Sequence, residues 1–169
     1  MIFNIVIVGA GVIGLSIARA IGERTNLSVL IIDKEDDFGR GISSRNSEVI
    51  HSGLYYEPNS LKAKYCTEGR ELLYDYCKRH NVWTKQCGKL IVGSAHQISE
   101  LEELFNNGLK NSIPDMKIIG KKEIESIESK IIADSAIYIG CTGIISTHEL
   151  MSAFYSESQK SNHDYLFKS

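Results

Sequence analysis

Phe3–Val8 is a run of apolar and β-branched residues broken only by Asn4. A run without polar alternation predicts a central parallel strand covered on both faces. Gly9-Ala10-Gly11-Val12-Ile13-Gly14 follows at once, and Leu15 to Glu23 then carries helix-compatible spacing with the small Ala18 one turn after Gly14. Leu27–Ile32 reads as a second buried strand ending at Asp33. The first stretch of chain is therefore a strand, a glycine turn, a helix and a second strand.

The pattern changes from Asp36 to Pro58, where Gly39, Gly41, Ser43, Ser44, Asn46, Ser47, Ser52 and Gly53 make a long polar loop with little periodicity. Long ordered loops of this kind are more often functional than not. Ser60 predicts an N-cap for a helix to about His80, with Cys66, Gly69, Leu72, Leu73, Tyr76 and Cys77 on one face. Lys89–Val92, Lys117–Ile119 and Ala136–Ile139 read as short strands. Ile98, Leu101, Leu104, Phe105 and Leu109 mark an amphipathic helix between the first two. A last helix is expected from His148 to about Gln159, and Tyr165-Leu166-Phe167 resembles the opening of another strand.

The fold class expected is α/β, a Rossmann-like βαβ start followed by part of an α+β domain. Its regions are 1–85 for dinucleotide binding, 86–145 for a partial substrate side, and 146–169 returning to the first. Two parallel strands and one crossover helix cannot cover both faces of a sheet, so the fold is expected to be incomplete.

Composition narrows the partners. A formal net charge of −2 supplies no field for nucleic acid or an anionic membrane surface. The apolar runs are too short to span a bilayer. Met1 leads almost directly into the first of them without a basic segment or a small-residue cleavage site, so no signal peptide is expected. The four cysteines (Cys66, Cys77, Cys87 and Cys141) form no CxxC pair. Reduced, partly buried thiols in a cytoplasmic protein are expected, with a peripheral place at an inner membrane as the alternative. His80, His96 and His148 lack ligand spacing, and no metal site is indicated.

The glycine fingerprint carries the chemistry. Gly9 permits a tight turn, Gly11 lets the backbone approach a pyrophosphate, and Gly14 allows close helix–strand packing. The helix start offers N–H groups and a positive dipole end to phosphates. Asp33, at the end of the second strand, is placed to accept from ribose hydroxyls and disfavours a 2′-phosphate. The alternative is a glycine-rich turn that binds nothing.

Three segments then carry a resemblance: Gly41-Ile-Ser-Ser-Arg-Asn-Ser-Glu-Val-Ile-His-Ser-Gly-Leu-Tyr-Tyr56, Pro58-Asn-Ser-Leu-Lys-Ala-Lys64 and Gly88-Lys-Leu-Ile-Val92. Together they resemble the L-2-hydroxyglutarate dehydrogenase/oxidase family of D-amino-acid-oxidase-like flavoproteins. The Ser-Ser-Arg and Ile-His-x-Gly pieces also resemble the flavin loop of glycerol-3-phosphate dehydrogenases. The likeness runs to Thr142-Gly143-Ile144-Ile145 and departs at Ser146, where the family usually has aspartate.

The resemblance implies FAD as cofactor, held by Gly9, Gly11, Gly14, Asp33 and Lys34, with Ser43, Ser44, Arg45 and Asn46 along its pyrophosphate and ribityl chain. It places His51 near the isoalloxazine ring as the catalytic residue. Imidazole suits removal of a hydroxyl proton, and a structural role in the loop is the equal alternative. Lys89 or Arg45 could pair with a dicarboxylate, and Tyr55 and Tyr56 could hydrogen-bond a carboxylate, although surface charge and packing are the plainer roles. The implied activity is oxidation of L-2-hydroxyglutarate or a related 2-hydroxy acid to the 2-oxo acid. Electrons would pass to quinone or oxygen, and a missing C-terminal half would complete the enzyme. The alternatives are a non-catalytic remnant and a flavoprotein acting on glycerol 3-phosphate or an amine.

Overall fold

A computed structural model describes residues 2–169; Met1, part of the stretch read against a signal peptide, lies outside them. The elements are β1 (Ile5–Val8), α1 (Val12–Arg24), β2 (Val29–Asp33), β3 (Val49–Ile50), α2 (Leu61–His80), β4 (Thr84–Lys85), β5 (Lys89–Gly93), α3 (Ile98–Lys110), β6 (Met116–Gly120), α4 (Lys121–Ile127), β7 (Ser135–Ile139), β8 (Gly143–Ile145), α5 (Thr147–Ser158) and β9 (His163–Phe167). The chain forms two compact units, one of residues 1–48, 79–83 and 145–169, the other of 49–78 and 84–144. The chain changes unit at 48/49, 78/79, 83/84 and 144/145, so residues 49–78 belong to the second unit.

In the first unit, β1, β2 and β9 form a parallel sheet in that order, with Ile5 opposite Val29 and Val29 opposite His163. Because side chains alternate along a strand, Ile5 and Ile7 share one face. They pack there around Ala10, Ala18, Val29 and Ile31, together with Tyr165 and Phe167. α1 buries Gly14, Leu15 and Ala18, and α5 buries Leu150, Met151 and Phe154. Each large aliphatic side chain so enclosed contributes about 1.5–3 kcal/mol. Arg19 of α1 reaches Glu157 of α5 at 2.6 Å, a short charge-assisted contact between the two helices.

β1 is not the central strand expected. It lies at the sheet edge, and the face opposite the core is open, with Val6 and Val8 54% and 81% exposed. An unbroken apolar run records that a strand can be covered on both faces, not which cover is present. The polar loop also differs from the expectation, since it contains a 3₁₀ turn at Ile42–Ser44 and the short β3.

In the second unit, β5, β7 and β6 form an antiparallel sheet in which Leu90 and Lys117 both face Tyr138 across the ladders. Leu54, Leu101, Ile113, Ile137, Ile139 and Cys141 make its main core, and Ile119, Ile124 and Ala136 a second cluster. The Ser60 hydroxyl accepts from the Ala63 N–H at 3.2 Å, which caps α2 as expected. The helix face differs, because Ala63, Arg70, Tyr76 and Cys77 are buried while Leu72 is exposed. Arg70 can take an inner place because its guanidinium donates to the Ser52 carbonyl at 3.2 Å. Asn107 and Asn111 of this unit donate to the carbonyls of Gly53, Leu54 and Tyr56, pinning that loop. All four cysteines are free; Cys87 is exposed rather than partly buried. Among the described residues no helix is long and apolar enough to cross a membrane, and no cluster could hold a metal ion.

His163, at the start of β9, is buried beside Gly22 and Ser161, and neither ring nitrogen has a hydrogen-bond partner among the described residues. Burial pushes its pKa below 6.5 by penalising the charged form. Above pH ~6.5 both folded and unfolded chains hold it neutral. Below that, the unfolded chain takes up the proton first, so stability falls with pH until the lowered folded pKa is reached. The expected slope is at most about 1.4 kcal/mol per pH unit from this group. Urea midpoints between pH 7.5 and 5.0 should drop less in His163→Leu than in the wild type, and parallel curves would remove the explanation.

Candidate dinucleotide and active sites

A cleft of about 560 Å³ opens in the first unit at the carboxyl ends of β1 and β2. This size falls within the range of small-molecule and cofactor pockets. Gly9, Gly11, Asp33, Lys34, Ser43 and Arg45 line it. Gly9 has φ +105°, a conformation open to glycine and strained for other residues. Its N–H donates to the Ile32 carbonyl at 2.8 Å, turning the chain off β1. A Cβ on Gly14 would lie 1.9 Å from the Gly9 carbonyl oxygen, so glycine is what allows α1 to sit against this turn. The Gly11 position would bring a Cβ to 2.8 Å from the Ser43 hydroxyl oxygen.

Asp33 does structural work in this arrangement. Its carboxylate accepts from the Ala10 N–H at 2.7 Å and from the Glu35 N–H at 3.0 Å, tying the glycine turn to the end of β2. Each carboxylate oxygen retains acceptor capacity for a ribose hydroxyl. The Ser43 hydroxyl accepts from the Val12 N–H at 3.0 Å, meeting one of the free donors at the α1 start. Gly11 itself provides no side-chain cap, and the first turn carries no acid to compete with an anion.

Ser44 and Asn46 support the cleft without lining it. The Ser44 hydroxyl donates to the Gly41 carbonyl at 3.0 Å, and the Asn46 amide donates to the Ser43 carbonyl at 2.8 Å. Glu48, which sequence reading passed over, accepts from the Thr147 N–H and hydroxyl, both at 2.9 Å. These two bonds hold its carboxyl below the usual range. Arg40, Ile42 and Glu35 also line the cleft unforeseen. Their signal was weak: Arg40 merely makes exposed ion pairs with Asp36 and Asp37. At the departure from the expected pattern, the Ser146 hydroxyl caps α5 by accepting from the Glu149 N–H at 3.3 Å, a duty that serine and aspartate share.

His51 is not among the residues of this cleft. It lines a separate cavity of about 100 Å³ in the second unit, with Tyr55, Tyr56, Lys89 and Thr142. The Cys66 thiol donates to the His51 carbonyl at 3.4 Å, and the Arg70 Nη1 donates to the Ser52 carbonyl at 3.2 Å. Burial raises the thiols of Cys66 and Cys141 above their ordinary pKa, against a smaller opposing effect of Arg70. Neither is poised as a thiolate nucleophile.

A parallel strand–turn–helix–strand with glycines at the turn and an acid ending the second strand defines a Rossmann-type dinucleotide-binding protein. The chain belongs to the DAO family, described as FAD dependent oxidoreductase, which matches residues 4–168. It is 40% identical over 166 residues to the human mitochondrial L-2-hydroxyglutarate dehydrogenase, covering 97% of this chain and 36% of that protein. It is 41% identical over 154 residues to the mitochondrial enzyme of that name from Arabidopsis thaliana, covering 90% of this chain and 32% of that one. The chain thus spans about a third of the length of these relatives. Among solved structures, FAD-bound L-alpha-glycerophosphate oxidase from Mycoplasma pneumoniae matches at 26% identity and TM-score 0.91, over 98% of this chain and 44% of that one. Glycine oxidase from Geobacillus kaustophilus, at 18% identity and TM-score 0.86 over 98% of this chain and 46% of that one, shares the fold.

These relatives correct one expectation. The human, Dictyostelium discoideum and Arabidopsis proteins are named as mitochondrial, which points away from the cytoplasm. Charge balance and cysteine spacing do not encode a compartment, because targeting is read from dedicated segments.

Two glycine variants separate the constraints at the turn. Alanine is worth about 1 kcal/mol more than glycine in a helix, but the Gly14 overlap is with backbone and cannot relax cheaply. Gly14→Ala should therefore destabilise by about 2 kcal/mol or more in urea unfolding. Gly11→Ala needs only the Ser43 side chain to swing away, at a cost of about 1 kcal/mol. Equal midpoints for Gly14→Ala and the wild type would show that the helix–strand contact does not govern the turn.

Proposed function

We propose that this chain is the FAD-binding N-terminal portion of a flavoenzyme that oxidises L-2-hydroxyglutarate, or a related 2-hydroxy acid, to the 2-oxo acid. The observation that carries this reading is the cleft at the Gly9–Gly14 turn in a chain 40% identical to L-2-hydroxyglutarate dehydrogenases over nearly its whole length. The residues present fit a dinucleotide: a glycine turn whose own residues bring no side chain larger than a methyl to its tip, a helix start without an acid, and Asp33 at the end of β2. Gly9, Gly11, Lys34, Ser43 and Arg45 would hold FAD in the cleft, with Gly14, Ser44 and Asn46 keeping its walls in place. Bound FAD supplies the hydride acceptor that such an oxidation needs.

His51 would take the proton of the substrate hydroxyl, and its cavity is large enough for a short acid. Quinone or oxygen would be the final acceptor. A further polypeptide segment of the kind the longer relatives possess would cover the open face of the β1–β2–β9 sheet at Val6 and Val8 and complete the enzyme. A contiguous apolar face of this sort is an expected docking surface. The likeness to the Mycoplasma oxidase favours a second reading, oxidation of glycerol 3-phosphate.

The test is the visible spectrum of the purified chain with added FAD, followed by L-2-hydroxyglutarate and, separately, sn-glycerol 3-phosphate. A bound flavin spectrum bleached by the hydroxy acid supports the first reading, and bleaching by the phosphate ester alone supports the second. A soluble chain that takes up no flavin would be a non-catalytic remnant of the fold. Where turnover is seen, His51→Asn should slow it by roughly 100-fold or more without loss of flavin. Unchanged turnover would leave His51 a structural residue of its loop.

A further inference from the structure

The second-unit cavity, at about 100 Å³, is too small for a cofactor and of the order of a short organic acid. Its wall contains no aspartate or glutamate. Lys89, at the start of β5, is the one lysine or arginine in that wall, and it makes no ion pair among the described residues. Its ammonium lies 5.1 Å from the centre of the Tyr55 ring, where the aromatic face helps to hold it while leaving N–H donors for another partner.

A second cation stands behind the loop that closes the cavity. Arg70 is 4% exposed, and its Nη2 has no hydrogen-bond partner among the described residues; the exposed Glu71 carboxylate lies 3.6 Å from it. Thr142, in the same wall, carries a buried hydroxyl without a hydrogen-bond partner among the described residues. The backbone here is held firmly, with the Gly88 N–H donating to the Thr142 carbonyl at 2.9 Å and the Tyr74 hydroxyl to the Cys141 carbonyl at 3.3 Å. A lysine without an ion pair and a buried hydroxyl without a partner, in a wall that holds no acidic residue, make this cavity a place for an anion.

Building on the oxidoreductase reading, we propose that Lys89 and Tyr55 bind the carboxylate remote from the reacting carbon, and so select short dicarboxylates over monocarboxylates. His51 in the same wall then faces the hydroxyl end of the substrate. Lys89 is a specificity residue, and its loss should weaken the diacid preference rather than the chemistry.

Calorimetric titration with glutarate and with butyrate tests this without any flavin turnover. Glutarate should bind the wild-type chain about tenfold more tightly than butyrate, a gap expected for one added charge-assisted contact. Lys89→Met should erase that gap, Lys89→Arg should restore part of it, and Lys130→Met, at an exposed position that lines neither cavity, should leave it intact. Circular dichroism melts identify a variant that fails to fold, in which case Lys89→Gln replaces it. Equal affinity for the two acids, no binding of either, or a gap that survives loss of Lys89 overturns the proposal. Flavin uptake, followed by absorbance on the same samples, is scored separately. A chain that prefers glutarate but takes up no FAD keeps the pocket and loses the oxidoreductase reading.

Discussion

The contact between the Gly9 carbonyl and the α1 backbone at Gly14 is the constraint on which the first unit rests. At the distance observed there is room for a hydrogen atom and nothing larger. The closeness lets Leu15 be buried and Ala18 pack with Val29 and Ile31 of β2, and it sets the helix start at the mouth of the cleft. Asp33 and Ser43 then lock the turn from two sides, through the N–H groups of Ala10 and Val12. Packing and binding geometry are therefore one problem in this protein. The glycines serve the fold whether or not a nucleotide is present.

Much of this is legible in the sequence. The βαβ start, the Ser60 cap, the strands β5, β6 and β7 and the helices α3 and α5 all come from strong periodicity or turn chemistry. The short strands β3, β4 and β8 did not, because two or three residues give too few positions for a period to show. α4 escaped as well, being a seven-residue helix with one buried side chain, Ile124. The inward Arg70 could not be read either, since its place depends on a carbonyl at Ser52 that is near only in three dimensions.

The candidate site was legible by residue but not by arrangement. Six of the nine expected cofactor residues line one cleft, while Gly14, Ser44 and Asn46 shape it from behind. His51 keeps separate company, among tyrosines and a lysine that the loop sequence placed near it without indicating a shared cavity. Asp33 shows the same limit in another form. A spacing can mark a carboxylate for a ribose, but it does not tell that backbone amides already share it.

The order of the parallel sheet has a consequence for how this chain acquires its shape. β2 lies between β1, its near neighbour in sequence, and β9, which arrives only after the whole second unit has been made. Closing so long a loop is entropically costly and slow compared with local pairing. During synthesis the glycine turn and α1 can form early against β1 and β2, while the flank of β2 waits, unpaired, for Val29 to meet His163. The molecule is vulnerable in that interval: a chain paused before β9 would present an unfinished parallel edge to any extended segment nearby.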